Sequence, residues 1–409
     1  LLVAKRPLLT AIGCSAILLI MSTGTLSMKP SFNLLASLPD QSESVQGFKV
    51  IGDSFPSGSV SPTSVFVVLN DNGLDNLESV EFISAAIMDV PGVSHVTSPS
   101  RPFGTKLEIP PTRYRELIQN LPVGFKDQLR NSGMGGLQEI IRSSQLNQEQ
   151  SQIAIAFAST SNLISDSGNV VRINVVFQED PGSLASLEKI SDLRATVSNI
   201  SDSKIKEIVV GGTTAIQYDT KAANQRDIKV IAPIVLTVIL TILIILVRAI
   251  IAPIYMLGSV VLSFLGSLGL SVFIFQNLLG HDGVGSWVPT YMFVFLIALG
   301  IDYNIYVISR VKEESHVHGI KQGALIAISR TGGVITSAGI ILAGTFSALM
   351  TLPLRDLFQL GFVVALGVLI DTFLVRGVMI PSLVILHGKW NWWPCMTKRP
   401  EPNLANTNE

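Results

Sequence analysis

The chain has 409 residues, of which 48% are hydrophobic and only 14% are charged, against roughly 25% charged in ordinary soluble domains. This composition excludes an ordinary soluble protein. The formal net charge of -1, without a long basic run, gives no support for nucleic-acid binding. The apolar residues are concentrated in blocks, which indicates that much of the chain is surrounded by lipid.

Six apolar runs are long enough to cross a membrane, since roughly 20 apolar residues span the bilayer core. They predict spanning helices at residues 7–26, 230–247, 249–276, 288–309, 331–350 and 357–386. Cytoplasmic loops retain Lys and Arg, and the basic residues beside these spans place both termini in the cytoplasm and residues 28–229 outside. The basic start and apolar core of the first run would also fit a signal peptide.

Between the first and second spans, short alternating segments replace the unbroken apolar runs, a pattern typical of half-buried strands. Helices are predicted at 74–89 and 183–199, and strands at 64–70, 94–98, 170–178 and 205–210. The order βαβ, repeated twice, predicts an external α+β domain of the ferredoxin-like split βαβ type. A polar stretch at 101–160, with the flexible break GMGG at 133–136, is interpreted as an inserted helical lobe.

The predicted fold class is therefore a polytopic α-helical membrane protein with six transmembrane helices and an external α+β domain. We divide it into a first transmembrane helix at 1–27, an external domain at 28–229, a five-helix transmembrane bundle at 230–387 and a cytoplasmic tail at 388–409. The chain begins with Leu1 rather than Met, so we expect a piece, or one half, of a longer protein.

Asp302 lies in the middle of the fourth predicted span, in the run WVPTYMFVFLIALGIDYNIYVIS. Ionisable side chains inside the bilayer are rare and usually face a bundle interior or a water-filled path, where they relay protons or ions. At 1.5 Å per residue, Asp302 and Asp371 of the sixth span both fall about 21 Å from the outer edge. We expect the two carboxylates to share a layer and interpret Asp302 as a proton or cation relay, with a structural carboxylate as the alternative.

Two tyrosines accompany Asp302 along the same helix. Tyr303 can donate a hydrogen bond to a carboxylate of an opposing helix, and Tyr306 follows Asp302 by one turn on the same face. Both are candidate members of the relay.

Asp371 has two interpretations. A static pair with Arg376, five residues further on, is as reasonable as a place in the relay. Thr372 and Ser337 are candidate neighbours of the relay, although such hydroxyls inside membranes more often hold helices together.

Three segments together resemble a known family. The motif GIDYNIYVISRVKEE at 300–314 resembles the fourth-helix signature of MmpL-type transporters in the resistance-nodulation-division (RND) superfamily. DTFLVRGVMIPSLVILHGKWNWWP at 371–394 is similar to their closing helix, and RTGGVITSAGIILAGTFSAL at 330–349 to the helix before it. The resemblance covers nearly the whole chain.

That resemblance implies export of lipids or other amphiphilic molecules across the plasma membrane of a bacterium, driven by the proton-motive force. Asp302 and Tyr303 would carry the proton coupling, and the external, porter-like domain would receive or pass the substrate. No cofactor beyond the proton gradient is implied. The sequence contains no GxxxxGK[ST] motif, so it gives no indication of direct use of ATP. Full-length members carry two such halves, so the partner would be a second half of the transporter or a second copy of this chain.

Two other functions stay open at this stage. One is a sterol-sensing-like lipid receptor or regulatory scaffold in which the carboxylates are structural, and the other is a protein-translocation accessory of SecDF type. We do not expect an enzyme or a metal site, because His316 and His318 fall in a predicted charged loop without other ligands and no Ser-His-Asp or Cys-His arrangement is evident.

Overall fold

The computed structural model describes residues 2–32, 35–39, 41–55, 57–120 and 147–395. The GMGG break at 133–136 and the middle of the proposed lobe, residues 121–146, lie outside the described residues. The chain forms two compact units. The membrane unit consists of Leu1–Ser31, Leu35–Pro39 and Ala223–Glu409, and the α+β unit of Phe32–Leu34 and Asp40–Ala222.

The described helices and strands are numbered here along the chain. The helices are α1 Leu2–Lys5, α2 Pro7–Ser22, α3 Glu43–Ser54, α4 Leu77–Met88, α5 Pro111–Gln119, α6 Gln148–Thr160, α7 Leu184–Ser198, α8 Thr213–Val247, α9 Ile251–Phe273, α10 Val288–His318, α11 Ile320–Ser347, α12 Arg355–Ile370 and α13 Ile380–His387. The strands are β1 Pro30–Ser31, β2 Thr63–Leu69, β3 Val93–Thr97, β4 Val170–Phe177, β5 Ile205–Gly211 and β6 Val284–Gly285. Two π-helical segments, Ile274–Leu278 and Asp371–Met379, continue α9 and α12.

All six predicted spans are helical, which confirms the polytopic membrane fold. Within the described part of the chain, the helices long and apolar enough to cross a membrane are Pro7–Ser27, Thr213–Val247, Ile251–Leu278, Val288–His318, Ile320–Thr351 and Arg355–Trp392. Helix α8 begins well before the predicted residue 230 because the polar residues 213–229 contain no Gly or Pro to end a helix.

The predicted charged loop around His316 and His318 was wrong. Both histidines lie in the last turn of α10, and α11 begins only one residue later. Gly319 makes the connection with φ at 77°, a left-handed conformation that a glycine adopts without steric cost. The charged residues before it form the end of a long helix rather than an irregular loop.

The α+β unit has the predicted split βαβ architecture. Its sheet has the order β3-β4-β2-β5, and every neighbouring pair is antiparallel. Alternate residues of β2 and β4 are buried and share one core with apolar side chains of α4 and α7. Helix α3 was not predicted from the sequence, because two glycines interrupt it, and glycine disfavours the helix interior. Only its Val45 is buried.

Helices α5 and α6 form a second, smaller core in the region of the proposed lobe. This core includes Leu77, Tyr114, Ile118, Ile153 and Phe157. Helix α6 begins with a capping box, in which Asn147 and Gln150 exchange hydrogen bonds between side chain and backbone. The division of the chain into four parts, with a lobe at 101–160, stays a prediction.

Within the membrane unit, α2 and α9 approach each other through glycines. A Cβ atom added at Gly269 would collide with the carbonyl oxygen of Met21, and one added at Gly24 with the carbonyl oxygen of Gly269. Lipid supplies no hydrophobic drive for helix association, so close backbone packing at small residues is what stabilises such a contact.

We therefore expect Gly269→Ala to destabilise the membrane unit by about 1–3 kcal/mol, since the added methyl group must separate two backbones. Gly258→Ala on the same helix is the matched control, because a Cβ atom there meets nothing within 4 Å. Thermal unfolding in detergent, followed by helical circular dichroism, measures the difference. Equal melting temperatures for the two variants would contradict this account of the contact.

Candidate functional site

Helix α10 carries Asp302 at mid-span on a face that the membrane unit leaves open. Its buried side includes Gly300 and Asn304, and a Cβ atom added at Gly300 would press against Val260 of α9. Asp302 is exposed, and Tyr306, one turn later, keeps 49% of its surface exposed. The helical period thus places the Asp302–Tyr306 face away from the packed interior.

The carboxylate of Asp302 has no partner in the described part of the chain: no ion pair and no side-chain hydrogen bond there includes it. An ionised carboxylate at the centre of a spanning helix costs about 2.5–3.5 kcal/mol on insertion scales. Asp302 is therefore an ionisable group at membrane depth. The free-energy cost of its charge must be offset by a group that is not among the contacts of the described chain.

Asp371 is in the opposite situation. It forms a buried ion pair with Arg376, and their side chains are only 7% and 5% exposed. Both residues lie in the π-helical segment Asp371–Met379. The structure therefore contains the static pair, which was one of the two interpretations of Asp371 from the sequence.

Arg376 also connects the closing helix to α10. Its Nη2 donates a hydrogen bond to the carbonyl oxygen of Leu299 at 3.2 Å, and its guanidinium carbon lies 4.4 Å from the centre of the Tyr303 ring. A cation over an aromatic face at this distance is attracted by the ring quadrupole. Tyr303, Asp371 and Arg376 therefore form one cluster, and Asp302 is the sequence neighbour of that cluster on α10.

The two hydroxyl candidates differ in position. Thr372 is buried next to Asp371, and a Cβ atom added at Gly339 of α11 would collide with its hydroxyl. Ser337 is exposed, and its hydroxyl donates to the carbonyl oxygen of Val334 in its own helix at 3.0 Å. Thr372 thus packs against α11, and within the described chain its buried hydroxyl has no hydrogen-bond partner. The structure brings neither hydroxyl into hydrogen-bond contact with the cluster.

Sequence reasoning missed Asn304. Its side chain is 1% exposed, and within the described chain neither amide atom has a hydrogen-bond partner. A buried amide without a partner is uncommon and costs free energy unless water or another group satisfies it. The signal was available as a polar residue inside the apolar run, but attention to ionisable residues passed over a neutral amide.

An apolar groove lies between α8 and α9. Its volume is about 530 Å³, and it opens to the surroundings of the helices. The residues that line it are Leu240, Ile254, Leu257, Gly258, Val261, Leu262 and Leu265. Because this lining is almost wholly aliphatic, the groove is suited to a hydrocarbon chain.

The six spans, the split βαβ unit and the charged cluster at mid-span define a multi-pass membrane protein of the RND type. The family model described as MMPL family matches residues 36–404. The chain belongs to the MMPL family.

Several relatives are similar over long stretches. A membrane protein of Streptomyces coelicolor is 33% identical over 396 residues, which cover 96% of this chain and 39% of that protein. The apo-petrobactin exporter of Bacillus anthracis is 38% identical over 243 residues, 57% of this chain and 32% of that protein. The sulfolipid-1 exporter MmpL8 of Mycobacterium tuberculosis is 35% identical over 301 residues, 72% of this chain and 24% of that protein.

The chain therefore spans between 24% and 39% of the length of these relatives. Two of them carry the names of exporters, which agrees with the expectation that this chain is not an enzyme.

The buried pair generates a stability prediction. Arg376→Leu leaves Asp371 buried without its partner, and breaking a buried ion pair in this way costs about 3–5 kcal/mol. Removing both charges, with Asp371→Leu and Arg376→Leu together, should recover most of that loss. Denaturant unfolding in detergent micelles gives the free energies.

Glu313→Gln is the matched control, since it breaks the exposed pair of Arg310 and Glu313 at 2.6 Å and should cost less than about 1 kcal/mol. If Arg376→Leu proved no more harmful than Glu313→Gln, the cluster would not be a structural element of the membrane unit.

Proposed function

We propose that the chain is the proton-coupled part of an MmpL-type exporter of lipids or other amphiphilic molecules, working with a second half or a second copy of itself. The observation that carries this proposal is the unpartnered carboxylate of Asp302 on the open face of a spanning helix. A group that must exchange protons needs a changing environment, and an exposed face at mid-membrane depth provides one when a partner covers it.

In this proposal Asp302 takes up and releases the proton, and Tyr303 transmits the change. Tyr303 follows Asp302 directly and lies against the Arg376 guanidinium, so a change of charge at Asp302 acts on the Arg376–Asp371 pair through one side chain. Asp371 would join the relay only by releasing Arg376. Thr372 follows Asp371 in the sequence and has a buried, unpartnered hydroxyl, and Ser337 takes no direct part.

The substrate class rests on the relatives and on the groove between α8 and α9. One relative is named a sulfolipid-1 exporter and another an apo-petrobactin exporter, which supports an amphiphilic cargo. The aliphatic lining of the groove, with Gly258 leaving open space, would accept an acyl chain by burial of apolar surface.

The proposed location is the plasma membrane of a bacterium, with the α+β unit outside and both termini in the cytoplasm. Basic residues at the His318 end of α10 and the start of α11 support this orientation. At that end, Glu314 is buried and accepts a hydrogen bond from Arg330 at 2.5 Å, with Arg310 at 3.4 Å.

We expect Asp302→Asn to abolish proton-driven export while the fold is kept, because the amide has the shape of the carboxylate but cannot exchange a proton. Export from energised vesicles by the complete gene product is the measurement, with Ser337→Ala as the matched control that should transport normally. Full export by the Asn variant would return Asp302 to a structural role, as in a sterol-sensing-like scaffold.

The open face of α10 should contact the partner. In a background with Cys14→Ala and Cys395→Ser, Tyr306→Cys should form a cross-link to the partner in membranes, since Tyr306 shares the Asp302 face. Ile245→Cys on α8, at a position 70% exposed, is the control expected to react with a thiol reagent but not to cross-link. Equal cross-linking at both positions would show random collision rather than a defined interface.

A further inference from the structure

A two-stranded parallel sheet of β1 and β6 is called the joint below, and its first strand lies between α2 and the α+β unit in the sequence. Strand β1 pairs in parallel with β6, in the loop between α9 and α10. The amide of Val284 donates to the carbonyl oxygen of Lys29 at 2.9 Å, and that of Ser286 to Ser31 at 3.0 Å. Ser31 directly precedes the first residue of the α+β unit in the sequence.

Gln359 of α12 hydrogen-bonds the loop that contains β6. Its side chain is fully buried, its Oε1 accepts a hydrogen bond from the amide of Gly285 at 2.9 Å, and its Nε2 donates to the carbonyl oxygen of Gly283 at 3.0 Å. Turning the amide over would place oxygen against oxygen and nitrogen against nitrogen. The two backbone contacts therefore fix which end of the amide is the donor.

The same Nε2 lies 3.1 Å from Nδ1 of His281. Since an amide nitrogen can only donate, Nδ1 must accept, and the ring is then the neutral tautomer with its proton on Nε2. A doubly protonated ring would present an N–H to the NH₂ group of Gln359. His281 also stacks on Phe275, with ring centres 5.8 Å apart, which limits its freedom to turn away.

We propose that His281, Gln359 and the backbone of residues 283–285 form an acid-sensitive latch, which holds the joint to β1 when the ring is neutral and releases it when the ring takes up a proton. This inference does not depend on the proposed export function, because it concerns only contacts within the membrane unit.

The surroundings of His281 favour the neutral ring on balance. Burial lowers the pKa of His281, the positive charge of Arg355 at the start of α12 lowers it further, and Asp282 raises it. The nearby Asp356 accepts a hydrogen bond from Trp287 Nε1 at 3.0 Å, on the other side of the same loop.

The pKa of His281 is lower in the folded protein than its unfolded value of about 6.5. The latch therefore keeps its full stability at a pH above about 6.5. It loses stability as the pH falls below it towards the folded pKa.

Hydrogen exchange followed by mass spectrometry, on the full chain in lipid nanodiscs, tests the latch. When the pH falls from about 7.5 to about 5, the amides of residues 284–286 should open more often, after correction for intrinsic exchange. The expected increase is about tenfold if the pKa of His281 in the folded protein is one unit below its unfolded value. His281→Phe keeps an aromatic ring for stacking but cannot titrate, so its opening should not depend on pH.

His387→Phe is the matched control. His387 also stacks on an aromatic ring, that of Tyr255 at 5.3 Å, but its Nδ1 faces the carbonyl oxygen of Leu383 at 2.9 Å, which accepts from a neutral or a charged ring alike. This variant should keep the native pH dependence. The latch would be overturned if amide protection in the native chain did not change with pH. It would also be overturned if His281→Phe lost as much protection at low pH as the native chain.

A second measurement needs no variant at position 281. Ring nitrogen and carbon chemical shifts of His281 in the native chain give its tautomer and its titration midpoint. We expect the Nε2–H tautomer at neutral pH and a midpoint below about 6.5. An Nδ1–H tautomer, or a midpoint at or above that value, would overturn the proposal even if His281→Phe failed to fold.

Discussion

The membrane unit is governed by one constraint: inside the bilayer no water is available to satisfy a polar group, so each must find its partner within protein. The cluster around Arg376 meets much of this constraint by combining a carboxylate, a backbone carbonyl and an aromatic face, although the Nε of Arg376 has no partner within the described chain. These contacts come from α10 and from the closing helix, so a charge that would be expensive alone becomes the group that fixes two spans against each other.

Asp302 is a polar group inside the bilayer that has no such partner within the described chain. It lies beside Tyr303, which contacts the cluster, yet its own carboxylate is turned to the open face. About 100° separate successive residues of a helix, so one chain can present a satisfied tyrosine and an unsatisfied carboxylate at adjacent positions. The difference is a property of the packing around α10 and not of residue type.

The sequence predicted those parts of the fold that depend on local periodicity. The apolar runs located six spans, and alternation along β2 and β4 located a sheet whose strand order is that of the split βαβ fold. It did not predict the π-helical turn that begins at Asp371, the hydrogen bonds formed by Gln359, or the unpartnered amide of Asn304. The contacts of Arg376 with Leu299 and of Gln359 with His281 join residues far apart in the chain, and no local pattern encodes such contacts. Asn304 differs, because a polar residue inside an apolar run is a local signal.

The two mid-span carboxylates, Asp302 and Asp371, differ in which contacts protonation would disturb. A proton on Asp371 would break its pair with Arg376 and leave a buried guanidinium to find another partner, an expensive change for a group with 5% exposure. A proton on Asp302 would break no contact that the described chain makes, and it would remove the cost of a charge at mid-span. For the proposed coupling, Asp302 is therefore the better candidate for reversible protonation, and Tyr303, its sequence neighbour against Arg376, is the proposed link to the pair.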